Sequence, residues 1–539
     1  MNLVRLFWTV IKLKPIQIAY QIKYRTIGYT RIKTIDYSEI DIEKDISIKA
    51  LDEDEIYVLR FRPEELLMNH VWLLNDMEEW HQGKWKYPER THLWNFNLHY
   101  FEYGIALASK FKNTNDARYY QKLEEMYTDW HKSCFKEIGG DAWHPYTISL
   151  RIRNLLIIYG VLDKKKEEWL NLVKKDIFWQ YQFLVHNQEK NLLGNHYFEN
   201  LTTLYICSKF FKDRQRNAGF NRELLAQIKE QILPDGMHFE RSFMYHNLVL
   251  EDLIRIYKVA DDMSKQLLKP YIQAMSDCVN SFEEEFRLPL FNDCGSNVAK
   301  RKSQLLTAAE NIADIKAILR KSLYNGGYYR LEDGKISVVV DAGIYAPEYI
   351  SGHGHCDMMS FELFYDGEPI IVNAGTFQYQ TEYREKFRST VSHNTMQVEG
   401  TEQSEIWGEH RTGRTAKVLK ISRAEQFIEA VFRDYKCNIL KRKIVLDHGI
   451  IVEDMSDKSS ISFWHIYPKN KVRQISGNEI EVITSKGNKL YLWAEGGNFD
   501  DITENSMYSE EFGKIQKLPA FSTRAYKVII NKKSEEENG

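Results

Sequence analysis

The sequence predicts a multidomain α + β protein, with a long helical region followed by an antiparallel β domain. Two observations carry this. Apolar residues recur at helical spacing from about residue 60 to 320, and near Asn325-Gly326-Gly327 the period drops to two. The length of 539 residues adds a third, because one core of that size is not expected.

The helical reading rests on particular stripes. Pro63 followed by Glu64 and Glu65 suits a first turn, and Leu67, Val71 and Leu74 continue it at helical spacing. A second helix starts at Pro145, presents Ile148, Ile152, Leu155 and Tyr159 on one face, and ends near Gly160. Leu201, Leu204 and Tyr205 make a third stripe, and Leu250, Leu253, Ile254 and Tyr257 a fourth. Turn chemistry such as Pro234-Asp235-Gly236 separates them. Successive helices without a strict repeat leave bundle, solenoid and toroid all open.

Beyond residue 325, short runs rich in β-branched and aromatic residues alternate with turns. KISVVVD, IIVNAG, FIEAVF, KRKIVLD, IIVEDM and KLYLWA are examples. Asp366-Gly367, Asp447-His448-Gly449 and Lys486-Gly487-Asn488 supply the turns. The pattern is that of a sandwich or barrel.

Composition narrows the function. Hydrophobic residues make up 43% and charged residues 28%, and the net charge is −3. That balance argues against a nucleic-acid-binding protein, which would be strongly basic. The 13% aromatic content suits both a large core and the flat C–H faces of sugars. Six cysteines form no CxxC pair, so neither a disulfide framework nor a thiolate metal site is expected. The apolar run Leu6 to Ile11 is interrupted by Lys12 and Lys14, too short for a signal or membrane-spanning segment. Residues 1–60 are read as a basic amphipathic arm docked on the body, and a cytoplasmic location is expected.

Four segments carry the chemistry. In Gly194-Asn195-His196-Tyr197-Phe198-Glu199, His196 and Glu199 share a helix face, and Asn195 is placed to cap the helix. In Asp235 to His246, Tyr245 and His246 are adjacent, so a helix points them about 100° apart. Gly352-His353-Gly354-His355-Cys356-Asp357 sets two histidines in a glycine turn, a spacing that also suits zinc. In Phe387 to Thr395, Arg388 is a fork for a carboxylate or sulfate and His393 a ligand-type imidazole. A uronate C5 proton becomes acidic when its carboxylate is neutralised, which Asn and His achieve, and Tyr then serves proton transfer. A glycosidase would need paired carboxylates instead.

These segments resemble the heparinase II/III-like polysaccharide lyases and related alginate lyases. The long run GHGHCDMMSFEL…IIVNAGTFQY…RSTVSHNTMQVEG…SEIWG carries most of the likeness, with WNFNLHY and HPYTISLR upstream. The resemblance implies an incomplete (α/α) toroid over residues 61–322, an antiparallel β-sandwich over 323–532 and a polar tail at 533–539. It implies β-elimination on an acidic, uronate-containing polysaccharide, with no cofactor required. Asn195 and His196 would neutralise the carboxylate, and Tyr245 and His353 would act as acid and base. Glu199, Arg388, Tyr379 and His246 are assigned to substrate binding. His355 and His393 match ligands of a structural zinc or other divalent metal. Asn373 stands where the family often has Asp, and Phe377 where some members have a catalytic Tyr, so Tyr379 is the nearest substitute. The same departures keep open a catalytically weak glycan-binding or assembly protein. The family also implies the periplasm or cell envelope as the alternative compartment.

Overall fold

The computed structural model describes residues 3–532 apart from 33, 34, 36, 38, 39, 44–46, 50, 52, 136, 137, 163–167, 286 and 381. The polar tail expected at 533–539 lies outside the described residues.

The helical half is an (α/α) toroid. Inner helices Glu102–Thr114, Pro145–Leu162, Gly194–Phe210, Phe243–Val259 and Lys302–Ala313 pack in sequence on one another. Between them run the outer helices Ala117–Cys134, Glu168–His186, Arg214–Gln231 and Asp262–Phe282, each packed on the inner helix before it. Composition sorts the two rings. The inner helix Gly194–Phe210 buries 15 of its 17 residues, whereas the outer helix Arg214–Gln231 buries four of 18. A helix buried all round belongs between neighbours, and a one-sided helix belongs outside.

One expected helix is corrected. The helix begun by Pro63 stops at Leu67, and His70–Leu73 pairs with Asp76–Glu79 as an antiparallel hairpin. Leu74 and Asn75 both take positive φ, of 50° and 66°, which is the two-residue turn that a right-twisted hairpin needs. Val71 and Leu73 are buried at a strand's period of two, not at helical spacing. The helix begun at Pro145 also passes Gly160 and runs to Leu162.

The β half is antiparallel throughout its named pairings. A five-stranded sheet spans Ser322 to Ile371, an eight-stranded sheet is built from strands between Lys417 and Asn531, and a four-stranded sheet joins Met396–Val398, Ser460–His465, Phe499–Asp501 and Ala520–Thr523. The Asp366-Gly367 turn joins strands Phe361–Tyr365 and Glu368–Ile371, with φ of 54° and 76°. The interior divides into three clusters. One fills the toroid, one fills the sheets, and a third joins them through residues such as Phe243, Tyr245, Leu290, Val372, Tyr379 and Phe512. Tyr245 and Tyr379 therefore belong to the apolar seam between the two halves.

Candidate active site

A cleft of about 490 Å³ opens along that seam. Asn195, His196, Glu199 and Tyr245 line it from the toroid, and His353 and Tyr379 from the sheet half.

Asn195 sits in the first turn of its helix rather than at the cap, which is Leu193. Gly194 takes φ +57°, and a Cβ there would meet Ile350 Cδ1 at 2.2 Å and Glu240 Oε1 at 2.4 Å. Only glycine allows this approach. Glu240 in turn fixes Asn195: it accepts from the backbone N–H at 2.9 Å and from Nδ2 at 2.8 Å. Asn195 Oδ1 is buried and, among the described residues, meets no donor.

His196 Nδ1 lies 2.8 Å from Glu189 Oε1. Burial works against the imidazolium, but Glu189, with Glu240 and Glu199 beside it, outweighs burial and the His196 pKa is raised. The ring packs on Tyr146, centroids 4.6 Å apart. Glu199 is held by Arg153 at 3.3 Å, and Arg153 also reaches Asp252 at 2.9 Å.

Tyr245 enters the cleft from the start of helix Phe243–Val259, whose cap Ser242 accepts from the Tyr245 N–H at 3.3 Å. Its hydroxyl is 2.9 Å from that of Tyr379, and its ring lies against His353 with centroids 4.2 Å apart. Burial, then the neighbouring Tyr379 and Asp293, push the Tyr245 pKa well above 10, so the phenol carries its proton. Phe377 instead packs edge-on against Tyr383. The phenol that pairs with Tyr245 in the cleft is thus Tyr379.

His353 is oriented by Asp293, whose Oδ2 accepts from Nδ1 at 2.7 Å. That leaves Nε2 as the lone-pair nitrogen, 3.5 Å from Asn195 Nδ2. Gly354 is required next to it, since a Cβ would meet the Tyr345 ring at 2.6 Å. Asp293 also accepts from His355 Nε2 at 2.8 Å and from Arg384 Nη2 at 2.7 Å. Burial alone would raise the Asp293 pKa, but Arg384 and the two histidines hold it well below the usual aspartate range.

Two expected substrate contacts are corrected. His246 is fully buried and points away: Nε2 donates to the Met275 carbonyl at 3.0 Å and Nδ1 accepts from the His238 N–H at 3.3 Å. It sits one position after Tyr245, and the helix turns it into the toroid core. Arg388 is also fully buried. Its guanidinium donates to the Gly354 carbonyl at 3.1 Å, Thr412 Oγ1 at 2.9 Å and Tyr345 Oη at 3.0 Å, so the fork pins the double-histidine loop.

Two of the three metal ligands implied by resemblance, His355 and His393, lie side by side. Their rings are tilted by 54° with centroids 5.2 Å apart, and among the described residues His355 Nδ1 and both His393 nitrogens meet no partner. Asn373 Oδ1, however, already accepts from Ser360 Oγ at 2.7 Å and the Asn394 N–H at 3.2 Å, and it carries no charge. Among the described residues, metal-type ligands converge in two sets of three elsewhere: His144, Glu189 and His196, and Asp293, His353 and His410. His355 and His393 thus offer imidazole nitrogens to a metal ion, whereas the Asn373 amide, already shared, replaces the charged third ligand.

Sequence reading missed Glu189, Glu240 and Asp293. Glu240 stands inside a segment singled out for Tyr245, and its turn-to-helix position was the available signal. Glu189 and Asp293 lie on loops, where no periodicity marks what they face.

The fold and this seam place the chain in the class of proteins built as an (α/α) toroid docked on a β-sandwich. The chain belongs to the heparinase II/III family. Residues 28–317 match the heparinase II/III N-terminus and residues 318–536 the heparinase II/III-like C-terminal domain. It is similar to the heparin-sulfate lyase of Pedobacter heparinus, 24% identical over 58% of this chain and 53% of the relative. The heparin-sulfate lyase of Bacteroides thetaiotaomicron is also 24% identical, over 56% of this chain and 51% of the relative. The chain thus spans about half the length of the curated relatives it matches. In fold it resembles a crystal structure of heparinase III, with a TM-score of 0.72 and 16% identity over 96% of this chain and 89% of that one.

Proposed function

We propose that the protein is a polysaccharide lyase that cleaves an acidic glycan at a uronate residue by β-elimination. One observation supports this most: the toroid and the sheets together hold Tyr245, His353, Tyr379 and Asn195 within one ring's reach. The relatives' names, heparin-sulfate lyases, agree with a uronate-containing glycan.

Each group has a task its surroundings allow. The imidazolium of His196, sustained by Glu189, offsets the uronate carboxylate charge. Asn195 Oδ1, which meets no protein donor among the described residues, accepts from a hydroxyl of the same sugar ring and orients it. His353 Nε2 takes the C5 proton, because Nδ1 is committed to Asp293. The C5–H electrons form the C4–C5 double bond, the C4–O4 bond breaks, and Tyr245 gives its proton to O4. Tyr379 donates toward the phenolate that Tyr245 briefly becomes. Tyr245 as the base is disfavoured, because its raised pKa keeps it protonated. No step passes through a metal ion.

The test is incubation with uronate-containing glycans, sulfated and unsulfated, followed by mass and ultraviolet analysis. Products with a C4–C5 double bond are expected, and they vanish in Tyr245→Phe. Saturated products, carrying an added water, would replace elimination by hydrolysis and end this reading.

A further inference from the structure

The arm before residue 32 has two different faces. Helix Leu3–Val10 docks on the sheet half, where Thr9 Oγ1 donates to the Thr412 carbonyl at 3.1 Å and Trp407 Nε1 donates to Thr9 Oγ1 at 3.2 Å. Helix Pro15–Thr26 docks on the toroid, with Gln17 Nε2 donating to the Leu192 carbonyl at 3.1 Å and Tyr24 Oη to the Gln188 carbonyl at 2.7 Å. The arm thereby spans both halves, and Thr9, Leu13, Gln17 and Gln21 line one end of the cleft.

The opposite face is apolar and open. Leu3 is 74% exposed, Phe7 57%, Ile11 59%, Ile22 59% and Ile27 75%. Leu3, Phe7 and Ile11 fall at i, i+4 and i+8, one stripe on one side. Soluble proteins seldom expose aliphatic and aromatic side chains so densely unless something covers them.

Charge identifies the cover. From residue 3 to 31 the chain carries Arg5, Lys12, Lys14, Lys23, Arg25 and Arg31 and no Asp or Glu, a net charge of +6. The whole chain is −3, so the remainder is −9. Arg5 pairs with Glu405 and Lys14 with Glu230, while Arg25 and Arg31 stand exposed beside Ile22 and Ile27. An acidic glycan would meet the cations but gain nothing from Leu3 or Ile11. A second copy of so cationic an arm would be repelled. An anionic bilayer satisfies both: headgroups attract the cations and the acyl boundary buries the apolar stripe.

We propose that the arm is a monotopic membrane anchor that seats the protein on an anionic lipid surface. The acidic body then faces away, and the cleft end lined by Gln17 and Gln21 lies beside the bilayer. The anchor is independent of the elimination chemistry.

Flotation with the 539-residue chain tests this, using vesicles of phosphatidylcholine alone and of phosphatidylcholine mixed with phosphatidylglycerol. The protein is expected to float with the mixed vesicles, and less so as salt rises. The double substitution Phe7→Glu/Ile11→Glu is expected to lower the bound fraction about tenfold or more. Unsaturated-product release from soluble glycan and the thermal midpoint should not change. Arg25→Glu/Arg31→Glu tests the charge without touching the apolar stripe, and is expected to weaken binding to mixed vesicles only. Equal flotation of wild type and both variants, or equal binding to both vesicle types, overturns the proposal. So does a wild-type dimer without lipid that Phe7→Glu/Ile11→Glu makes monomeric.

Discussion

The hydroxyl oxygens of Tyr245 and Tyr379 lie 2.9 Å apart, although the residues come from a toroid helix and a loop of the sheet half. Their rings belong to the apolar cluster that joins the halves. The pair forms only when both domains are folded and docked, so the proton transfer proposed for Tyr245 depends on that docking.

Tyr245→Phe is expected to lower kcat by about 10²- to 10⁴-fold, the usual weight of a general acid. Tyr379→Phe removes one hydrogen bond to a developing phenolate, and a loss of about 10- to 100-fold is expected. Steady-state release of unsaturated product measures both, and equal losses would mean that Tyr379 is itself the acid.

Glu189→Gln removes the carboxylate that sustains the His196 imidazolium. The His196 pKa is raised in the folded protein, so its charge is present at low pH and lost as pH rises through that pKa. Without Glu189 the loss comes at lower pH. The alkaline limb of kcat/KM is therefore expected to move acidward, and an unmoved limb would remove His196 from carboxylate neutralisation.

Asp293→Asn leaves Arg384 buried without its counter-ion and removes the acceptor that fixes the His353 tautomer. A stability loss of about 3–5 kcal/mol is expected by chemical denaturation. Below the unfolding midpoint, kcat of the folded enzyme should fall by about 10²-fold or more, as expected when a base is presented in the wrong tautomer.

Gly194→Ala adds a Cβ into Ile350 and Glu240 at a positive φ. It is expected to destabilise by about 1–3 kcal/mol and to displace Asn195. KM for a uronate glycan should rise together with the fall in thermal midpoint.

Acid should unfold the protein through its buried histidines. Burial holds His99 and His246 down to about 3, and His238 and His465 to about 4. The unfolded chain binds these protons at about 6.5, so stability is full above that pH and falls as pH drops toward 4. Each histidine contributes roughly 3 kcal/mol over that range, and denaturation midpoints measured between about pH 7 and pH 5 should fall accordingly. His246→Gln should reduce this slope while leaving KM unchanged, because His246 touches no part of the cleft.

Helix existence, the switch to strands and the hairpin turns were legible because they follow from local periodicity and turn chemistry. Pro145, Asp366-Gly367 and the stripe from Leu250 to Tyr257 each act within a few residues. The Pro63 segment reads two ways because Leu67, Val71 and Leu74 fit helical spacing while Val71 and Leu73 fit a strand's period of two, and only the pairing with Asp76–Glu79 decides between them.

The residue types of the cleft, Asn195, His196, Tyr245 and His353, stood out by sequence alone, since polar and aromatic groups cluster beside glycines there. What each side chain faces is a matter of long-range packing. Tertiary structure alone turned His246 into the core and spent Arg388 on the double-histidine loop. It also set Asp293 behind His353 and brought Tyr379 to Tyr245. The physical reason is that periodicity encodes which face of an element is buried, whereas the partner met across a domain seam depends on contacts far apart in the chain.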